Sequence, residues 1–203
     1  MLNLLVKNYT AYDFLNTYIL DDDKRILNAG SSSIRYGNNC INVDIQSKPD
    51  VDIVCDIQDL PQSLGQFDGI ICNGVLQYCQ YPWRVAQEFY RVLRPGGYLF
   101  LDVPWVQPYC SNTPDRFRYS EHALRSIFRQ FQIIEFGPSI RPGSAFAMLG
   151  VHIAGSLTNS KYVNFVLRKT ATILLFPFRG IRTADEDNTC GALYMICRKP
   201  LGP

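Results

Sequence analysis

Residues 67–104 are the stretch that most constrains the fold of this chain. They read FDGIICNGVLQYCQYPWRVAQEFYRVLRPGGYLFLDVP. The pattern predicts a buried strand over Phe67–Cys72, a helix over Tyr81–Leu93 and a second buried strand over Tyr98–Val103. The helix prediction rests on apolar residues that recur every three or four positions, and Pro-Gly-Gly at residues 95–97 predicts the turn that ends it. This order is typical of a right-handed crossover between parallel strands.

Five further segments have the composition of strands, and two of them follow each other closely. They are Arg25–Ala29, Asn38–Ile45, Val51–Asp56, Gln132–Phe136 and Leu193–Cys197. The first two are joined by a segment shorter than a crossover helix normally needs, so an abbreviated first crossover is expected. The last two lack a plain crossover helix between them, which predicts an antiparallel edge.

These elements predict a single α/β domain of 203 residues. We expect a Rossmann-like, seven-stranded, mostly parallel sheet with helices on both faces and a helical insertion between the last two strands. The predicted parts are an N-terminal helical segment at the sheet edge (1–22), a core (25–139), a helical insertion (140–190) and a final strand (191–200). Helical patterns in the insertion cover Phe146–Leu157 and Tyr162–Phe176.

Composition excludes several classes of protein. The net charge of +2 is too small to predict a nucleic-acid partner. Seven cysteines, an odd number without CxxC spacing, favour a reducing, cytosolic setting. With only two histidines, no metal site is expected. The first residues lack the pattern of a signal peptide, and the apolar run at 171–178 is too short to span a bilayer.

Small and polar residues follow four of the predicted strands. Asn28 and Gly30 follow the first, Asp44 ends the second, Asp56 ends the third and Asn73 ends the fourth. The carboxyl ends of parallel strands meet in one crevice, where glycine allows close approach and a carboxylate can accept hydrogen bonds from a ribose diol. The alternatives are a serine-rich turn at residues 30–33 and capping or turn roles for the polar residues.

Together these segments resemble the class I S-adenosylmethionine-dependent methyltransferases, in the subgroup of small stand-alone enzymes. The resemblance covers residues 25–139 and rests on the Asp44 strand end, CDIQDLP, FDGIICNGVLQY and EFYRVLRPGGYLFLDVP, of which the last is the most specific. It implies S-adenosylmethionine as cofactor.

The resemblance also implies roles for individual residues. Asn28, Gly30 and Ser32 would form the cofactor loop, Asp44 would hold the ribose, Ile45 would contact adenine, Asp56 and Ile57 would flank the adenine ring, and Asn73 and Leu76 would line the methionine end. The chain departs from the family in its first motif. Asn28 replaces an acidic residue, and Ser32 and Ile34 replace glycines.

The segment TPDRFRYSEHALRSIF resembles a run in methyltransferases of surface-glycan gene clusters. It implies that Asp115 and His122 are candidate bases and that Arg116 and Tyr119 contact the acceptor. The favoured alternative is a loop stabilised by an Asp–Arg pair, with His122 on a helix surface.

Residues 161–182 read KYVNFVLRKTATILLFPFRGIR, an apolar stripe flanked by basic residues. This pattern predicts either peripheral contact with a membrane, which would suit a lipid-linked glycan, or a lid or homodimer face. The second interpretation is favoured, and the expected location is cytoplasmic, with membrane association as the alternative.

Three functions are consistent with the sequence. The first is methyl transfer to a small molecule or glycan, in surface polysaccharide biosynthesis. The second is a catalytically inactive binding or scaffolding protein, favoured by the altered glycine loop. A nicotinamide dehydrogenase ranks last, because no GxGxxG follows the first strand.

Overall fold

The computed structural model describes residues 3–21, 23–110 and 113–202. Seven strands form one sheet in the order β3-β2-β1-β4-β5-β7-β6. Their bounds are β1 Ile26–Ala29, β2 Cys40–Asp44, β3 Ile53–Val54, β4 Phe67–Asn73, β5 Leu93–Pro104, β6 Gln132–Ile140 and β7 Ala192–Arg198. Neighbours from β3 through β5 pair in parallel, and β7 is antiparallel to both β5 and β6. The predicted Rossmann-like sheet and its reversed last strand are confirmed.

In the described part of the chain, six α-helices cover the sheet or project from it. They are α1 Ala11–Tyr18, α2 Pro82–Val92, α3 Glu121–Ile127, α4 Pro142–Ala154, α5 Lys161–Leu175 and α6 Glu186–Thr189. Proline in the first turn of α2 and the buried stripe Val85, Phe89 and Val92 explain why that segment is helical and which side faces the sheet. Thr10 and Asp13 close a capping box that fixes the start of α1.

Helices lie on both faces of the sheet. The sequence led us to expect α1 at the sheet edge, but it lies elsewhere. Phe14 of α1 stacks on Phe100 of β5, with 5.6 Å between ring centroids. Residues 30–39, all of which are described, contain turns and no helix between β1 and β2. Because no crossover helix lies between β1 and β2, the apolar side chains on this face of the sheet are covered by α1 instead.

The Pro-Gly-Gly segment does not form the separate turn predicted from sequence. Helix α2 runs directly into β5, and residues 95–97 lie within that strand beside a register shift. Gly96 has φ +81°, and a Cβ on Gly97 would come within 2.9 Å of the Asp68 carbonyl oxygen. Glycine is favoured at Gly96 because of its positive φ, and at Gly97 because the backbones of β4 and β5 approach so closely.

Between β6 and β7 the chain forms a hairpin of two helices, α4 and α5. Helix α4 begins at Pro142, earlier than predicted, since proline is favoured in the first turn. That turn is buried against a 3₁₀ turn, Phe176–Gly180, whereas α5 has no buried residue. No helix within the described ranges is long and apolar enough to cross a bilayer.

Candidate functional site

A cleft of about 330 Å³ opens where the strand order reverses, at the carboxyl ends of β1 to β4. This is the position at which open parallel sheets bind ligands. Its lining includes six residues that the sequence resemblance assigned to the cofactor: Gly30, Ser32, Asp44, Ile45, Asp56 and Ile57. Asn73 lines it too, so seven of the nine predicted cofactor residues face one space.

Asp44 ends β2 with its carboxylate at the cleft, and it is only 8% exposed. The Ser32 backbone N–H donates to Oδ2 and the Gln46 backbone N–H donates to Oδ1, each at a distance of 2.9 Å. These bonds fix the carboxylate relative to the loop after β1. A carboxylate has about four acceptor sites, so capacity remains for two hydroxyl groups of a ligand.

The loop after β1 brings backbone close to the cleft. Gly30 has φ +78°, and a Cβ there would come within 2.3 Å of the Val75 side chain. Ser32 also adopts a left-handed conformation, with φ +52°, although it is not glycine. The Lys48 ammonium donates to Ser32 Oγ over 3.1 Å and lines the same cleft. The loop is therefore a close-approach turn in which Ser32 adopts a backbone conformation that favours glycine.

Asp56 lies two residues beyond the end of β3, and not at its last residue. Its carboxylate accepts hydrogen bonds from the backbone and side-chain amide of Gln58. The Gln58 side-chain oxygen in turn accepts from the N–H of Tyr81, which ties this loop to the start of α2. Next to it, Ile57 is 5% exposed and contributes apolar lining.

Asn28 and Leu76 are the two predicted cofactor residues that do not line the cleft. The Asn28 amide donates to the Ile34 carbonyl over 2.8 Å and to Asn42 Oδ1 over 3.1 Å. Leu76 is fully buried, and its carbonyl accepts a hydrogen bond from the Tyr119 hydroxyl. In this conformation Asn28 therefore stabilises the β1–β2 connection.

The four predicted acceptor residues do not converge. Asp115 forms an ion pair with Arg118, not with Arg116, and Arg118 lowers the pKa of its carboxyl group. Arg116 is exposed. Tyr119 is 3% exposed, its hydroxyl donates inward to Leu76, and burial raises its pKa. The Asp–Arg loop that the sequence offered as the alternative interpretation is thus present.

His122 is exposed near the start of α3 and lines a different, smaller depression of about 170 Å³. This depression includes Trp105, Phe136 and Asp187 and shares no residue with the cleft. Within the described residues, no group of three or more His, Cys, Asp or Glu lies together as a metal site would require.

Asp102 is a functional candidate that the sequence reasoning passed over. It lies on β5 opposite Asn73 in the strand register and is 4% exposed. Ser139 donates to Oδ1 over 3.2 Å, whereas Oδ2 is buried without a hydrogen bond and lies 3.9 Å from the Lys7 ammonium. Burial raises the pKa of Asp102 to about 6. A charged residue within the apolar run YLFLDV was the available signal.

Sequence reasoning also missed several polar residues of the cleft wall: Gln46, Lys48, Gln58, Tyr78 and Thr113. They lie one to four residues beyond strand ends or in irregular loops, where periodicity gives no information about direction. Only the folded chain brings Thr113 to the same space as Asp44.

Comparisons with known proteins agree with this geometry. Residues 27–101 match the family described as a methyltransferase domain. Among solved structures, the 1,6-didemethyltoxoflavin-N1-methyltransferase of Burkholderia thailandensis, bound to S-adenosylhomocysteine, is 13% identical with a TM-score of 0.54. That alignment covers 97% of this chain and 95% of the other. The search of curated proteins found no match.

Two further similar structures differ in chemistry. Coclaurine N-methyltransferase, bound to N-methylheliamine and S-adenosylhomocysteine, is 9% identical with a TM-score of 0.53, covering 96% of this chain and 75% of its own. SpnF, described as a cyclase, is 17% identical with a TM-score of 0.58, covering 93% and 79%. The chain therefore has the fold of class I S-adenosylmethionine-dependent methyltransferases, and residues 27–101 carry the sequence pattern of a methyltransferase domain.

Proposed function

We propose that this protein transfers a methyl group from S-adenosylmethionine to a small-molecule or glycan acceptor. The observation that carries the proposal is the shared cleft: Asp44 and Asp56 face it together with Ile45, Ile57 and the close-approach glycine, Gly30. These groups suit an adenosine, which needs hydrogen-bond acceptors for its hydroxyl and amino groups and apolar contact for its ring.

The protein's own residues mainly bind and orient. S-adenosylmethionine, when bound, supplies a methyl group that is already activated for displacement. Asp44 would accept hydrogen bonds from the ribose, and Asp56 from the adenine amino group. Gly30 lets the main chain approach without a side chain in between. Placing acceptor and methyl carbon in line contributes several kcal/mol, so precise positioning can be most of the catalysis.

An acceptor hydroxyl must also lose a proton, and Asp102 suits this role better than Asp115 or His122. It stands beside Asn73, which lines the cleft, and its pKa of about 6 leaves it ionised at neutral pH yet able to take a proton. Asp115 is held by Arg118, which lowers its pKa and makes it a poor base. We therefore propose Asp102 as the proton acceptor, although its side chain does not line the cleft.

A glycan acceptor, with a role in surface polysaccharide biosynthesis, is the narrower form of the proposal. Its support is the resemblance of residues 113–128 to methyltransferases of surface-glycan gene clusters. The segment frames the cleft through Thr113, but its Arg116 and Tyr119 lie outside the cleft lining. The broader class, a hydroxyl- or amine-bearing small molecule, does not depend on this segment.

A binding or scaffolding role is the second candidate, and one feature favours it. The carboxylate oxygens of Asp44 and Asp56 already accept hydrogen bonds within the chain, and the Asn28 amide is committed to Ile34 and Asn42. A cleft stabilised in this way could keep its shape without a cofactor. SpnF shows that proteins of this fold are also described by another activity.

Calorimetric titration with S-adenosylhomocysteine tests the proposal. We expect micromolar binding to the unaltered protein and a loss of about 100-fold in Asp44→Ala, since charged hydrogen bonds contribute about 1.5–3 kcal/mol each. Asp59→Ala, which removes an exposed carboxylate outside the cleft lining, is the matched control and should bind normally. Absence of heat with the unaltered protein would favour the scaffold, and heat with NADH alone would favour a dehydrogenase.

A further inference from the structure

The hairpin of α4, α5 and the following 3₁₀ turn differs in charge from the rest of the chain. Residues 136–184 contain six of the 20 Lys and Arg and none of the 18 Asp and Glu. The rest of the chain therefore has 14 basic and 18 acidic residues, a net charge of −4 against +6 for residues 136–184 and +4 for the hairpin itself, residues 142–180. A surface that meets the hairpin is expected to be negative.

The hairpin also exposes apolar side chains. Of the 22 large apolar residues that are exposed among those described, 11 lie between positions 146 and 181. Tyr162 is 77% exposed, Ile173 65% and Leu157 63%. Residues that lie together and expose this much apolar surface usually mark an interaction site.

On α5 the exposed apolar residues share one side with Lys169, whereas Arg168 packs against Gly155 at the end of α4. Leu167 and Ala171 are half-buried toward α4, which is the helix's main contact together with the 3₁₀ turn. The opposite side carries Tyr162, Val166 and Ile173, which recur at helical spacing with Lys169 between them. The Lys169 ammonium lies 5.4 Å from the centroid of the Phe165 ring, so its charge stands beside exposed apolar surface.

We propose that this hairpin docks on an anionic lipid bilayer, with α5 lying in the plane of the interface. An amphipathic helix with basic residues beside exposed aromatic and aliphatic ones has the composition of interfacial helices. Charge complementarity decides between occupants. A two-fold homodimer formed through the hairpin would place its positive charge against an identical positive surface, which is unfavourable. The lid interpretation does not account for a helix without a buried residue.

Docking on a membrane would bring the proposed enzyme to an acceptor in that membrane. The docking itself does not depend on methyl transfer and can be tested separately. Its test is cosedimentation with vesicles made of phosphatidylcholine and phosphatidylglycerol in equal parts, and with vesicles of phosphatidylcholine alone. We expect partition onto the anionic vesicles, weaker binding at high salt, and little partition onto the neutral ones.

Two pairs of variants separate the contributions. Lys161→Gln with Lys169→Gln should weaken vesicle binding about 30-fold, at about 1 kcal/mol per basic residue. Tyr162→Ser with Ile173→Ser should weaken it at least about tenfold through lost apolar burial. The matched controls, Arg84→Gln with Arg129→Gln and Leu20→Ser with Leu201→Ser, change exposed residues elsewhere and should bind as the unaltered protein does.

Three outcomes would overturn the proposal. The first is no sedimentation with anionic vesicles, and the second is sedimentation that the hairpin variants do not weaken. The third is a dimer in sedimentation velocity without lipid that Tyr162→Ser with Ile173→Ser converts to monomer. That result would identify a second copy as the occupant. S-adenosylhomocysteine binding is measured separately, so failure here leaves the proposed function standing.

Discussion

The sheet and the α4–α5 hairpin place their apolar residues in opposite ways. On β5, Leu99, Phe100, Leu101 and Val103 are completely buried, whereas every residue of α5 retains some exposure. Burial of apolar surface is the main source of stability, so the sheet stabilises the fold and α5 contributes little. Packing therefore constrains the sequence of β5, while the sequence of α5 remains free to match an external surface.

The largest expected effect is the difference in stability between a substitution in the buried core of the sheet and one on the exposed helix α5. Phe89→Ala, at a fully buried position, should lower the free energy of unfolding by about 4 kcal/mol through a cavity and lost contacts. Ile173→Ala on α5 should change it by less than about 0.5 kcal/mol. Urea unfolding followed by circular dichroism measures both. Equal losses would show that the hairpin belongs to the core.

Within the cleft, two glycines offer a matched comparison. Gly30→Ala should destabilise the protein by about 3 kcal/mol, because the Cβ would meet Val75 and φ is positive. Gly74 also has a positive φ, +68°, but a Cβ there has no neighbour within 4 Å, so Gly74→Ala should cost about 1 kcal/mol. Adding Val75→Ala to Gly30→Ala should recover part of the loss. Without recovery, the tight approach of Gly30 to Val75 is not the cause.

Asp102 should make the stability of the sheet depend on pH. Its carboxyl pKa rises from an ordinary value of 3.8 to about 6 in the folded protein, chiefly because it is buried. The folded state therefore binds the proton more tightly than the unfolded state does. The resulting gain in the free energy of unfolding is fully present below pH 3.8 and is lost as pH rises through 6. Relative to Asp102→Asn, the unaltered protein should lose about 2 to 3 kcal/mol over this range.

Unfolding free energies at pH 4 and pH 7 for both proteins measure this difference. The comparison with Asp102→Asn cancels the titration of groups that do not interact with Asp102; Lys7, Tyr36 and Cys72 do interact with it. Parallel pH profiles for the two proteins would contradict the burial of an ionisable Asp102. Asp59→Asn, at an exposed position, should follow the unaltered profile.

The smallest expected effect is at Ser32. Its φ of +52° disfavours a side chain, so Ser32→Gly should relieve strain and raise the free energy of unfolding by about 0.5 kcal/mol after the cost of ordering glycine. The exposed hydrogen bond from Lys48 is lost, with little effect on stability. Thermal unfolding measures the change. A loss of stability would show that the serine hydroxyl matters more than the backbone conformation.

The sequence predicted the parts of the site that depend on the order of strands. Asp44 ends β2, and in a parallel sheet the ends of neighbouring strands meet, so its position beside Gly30 and Asn73 followed from strand order. The seven-stranded fold with its reversed last strand could be predicted for the same reason. Whether Asp44 holds a cofactor stays a prediction.

What the sequence could not predict depends on contacts between distant residues. The Pro-Gly-Gly segment joins β5 because Gly96 and Gly97 exchange backbone hydrogen bonds with Lys199, about half the chain away in sequence. The inward direction of Tyr119 depends on the Leu76 carbonyl, and the burial of Asp102 depends on Lys7 and Ser139. Local periodicity contains no information about such partners.

A crystal structure of the protein with S-adenosylhomocysteine tests the central claim most directly. We expect the adenosine in the cleft between β1 and β4, with both ribose hydroxyls within hydrogen-bonding distance of the Asp44 carboxylate and the adenine ring in contact with Ile57. An empty cleft at saturating ligand, or a ligand bound away from Asp44 and Asp56, would contradict it.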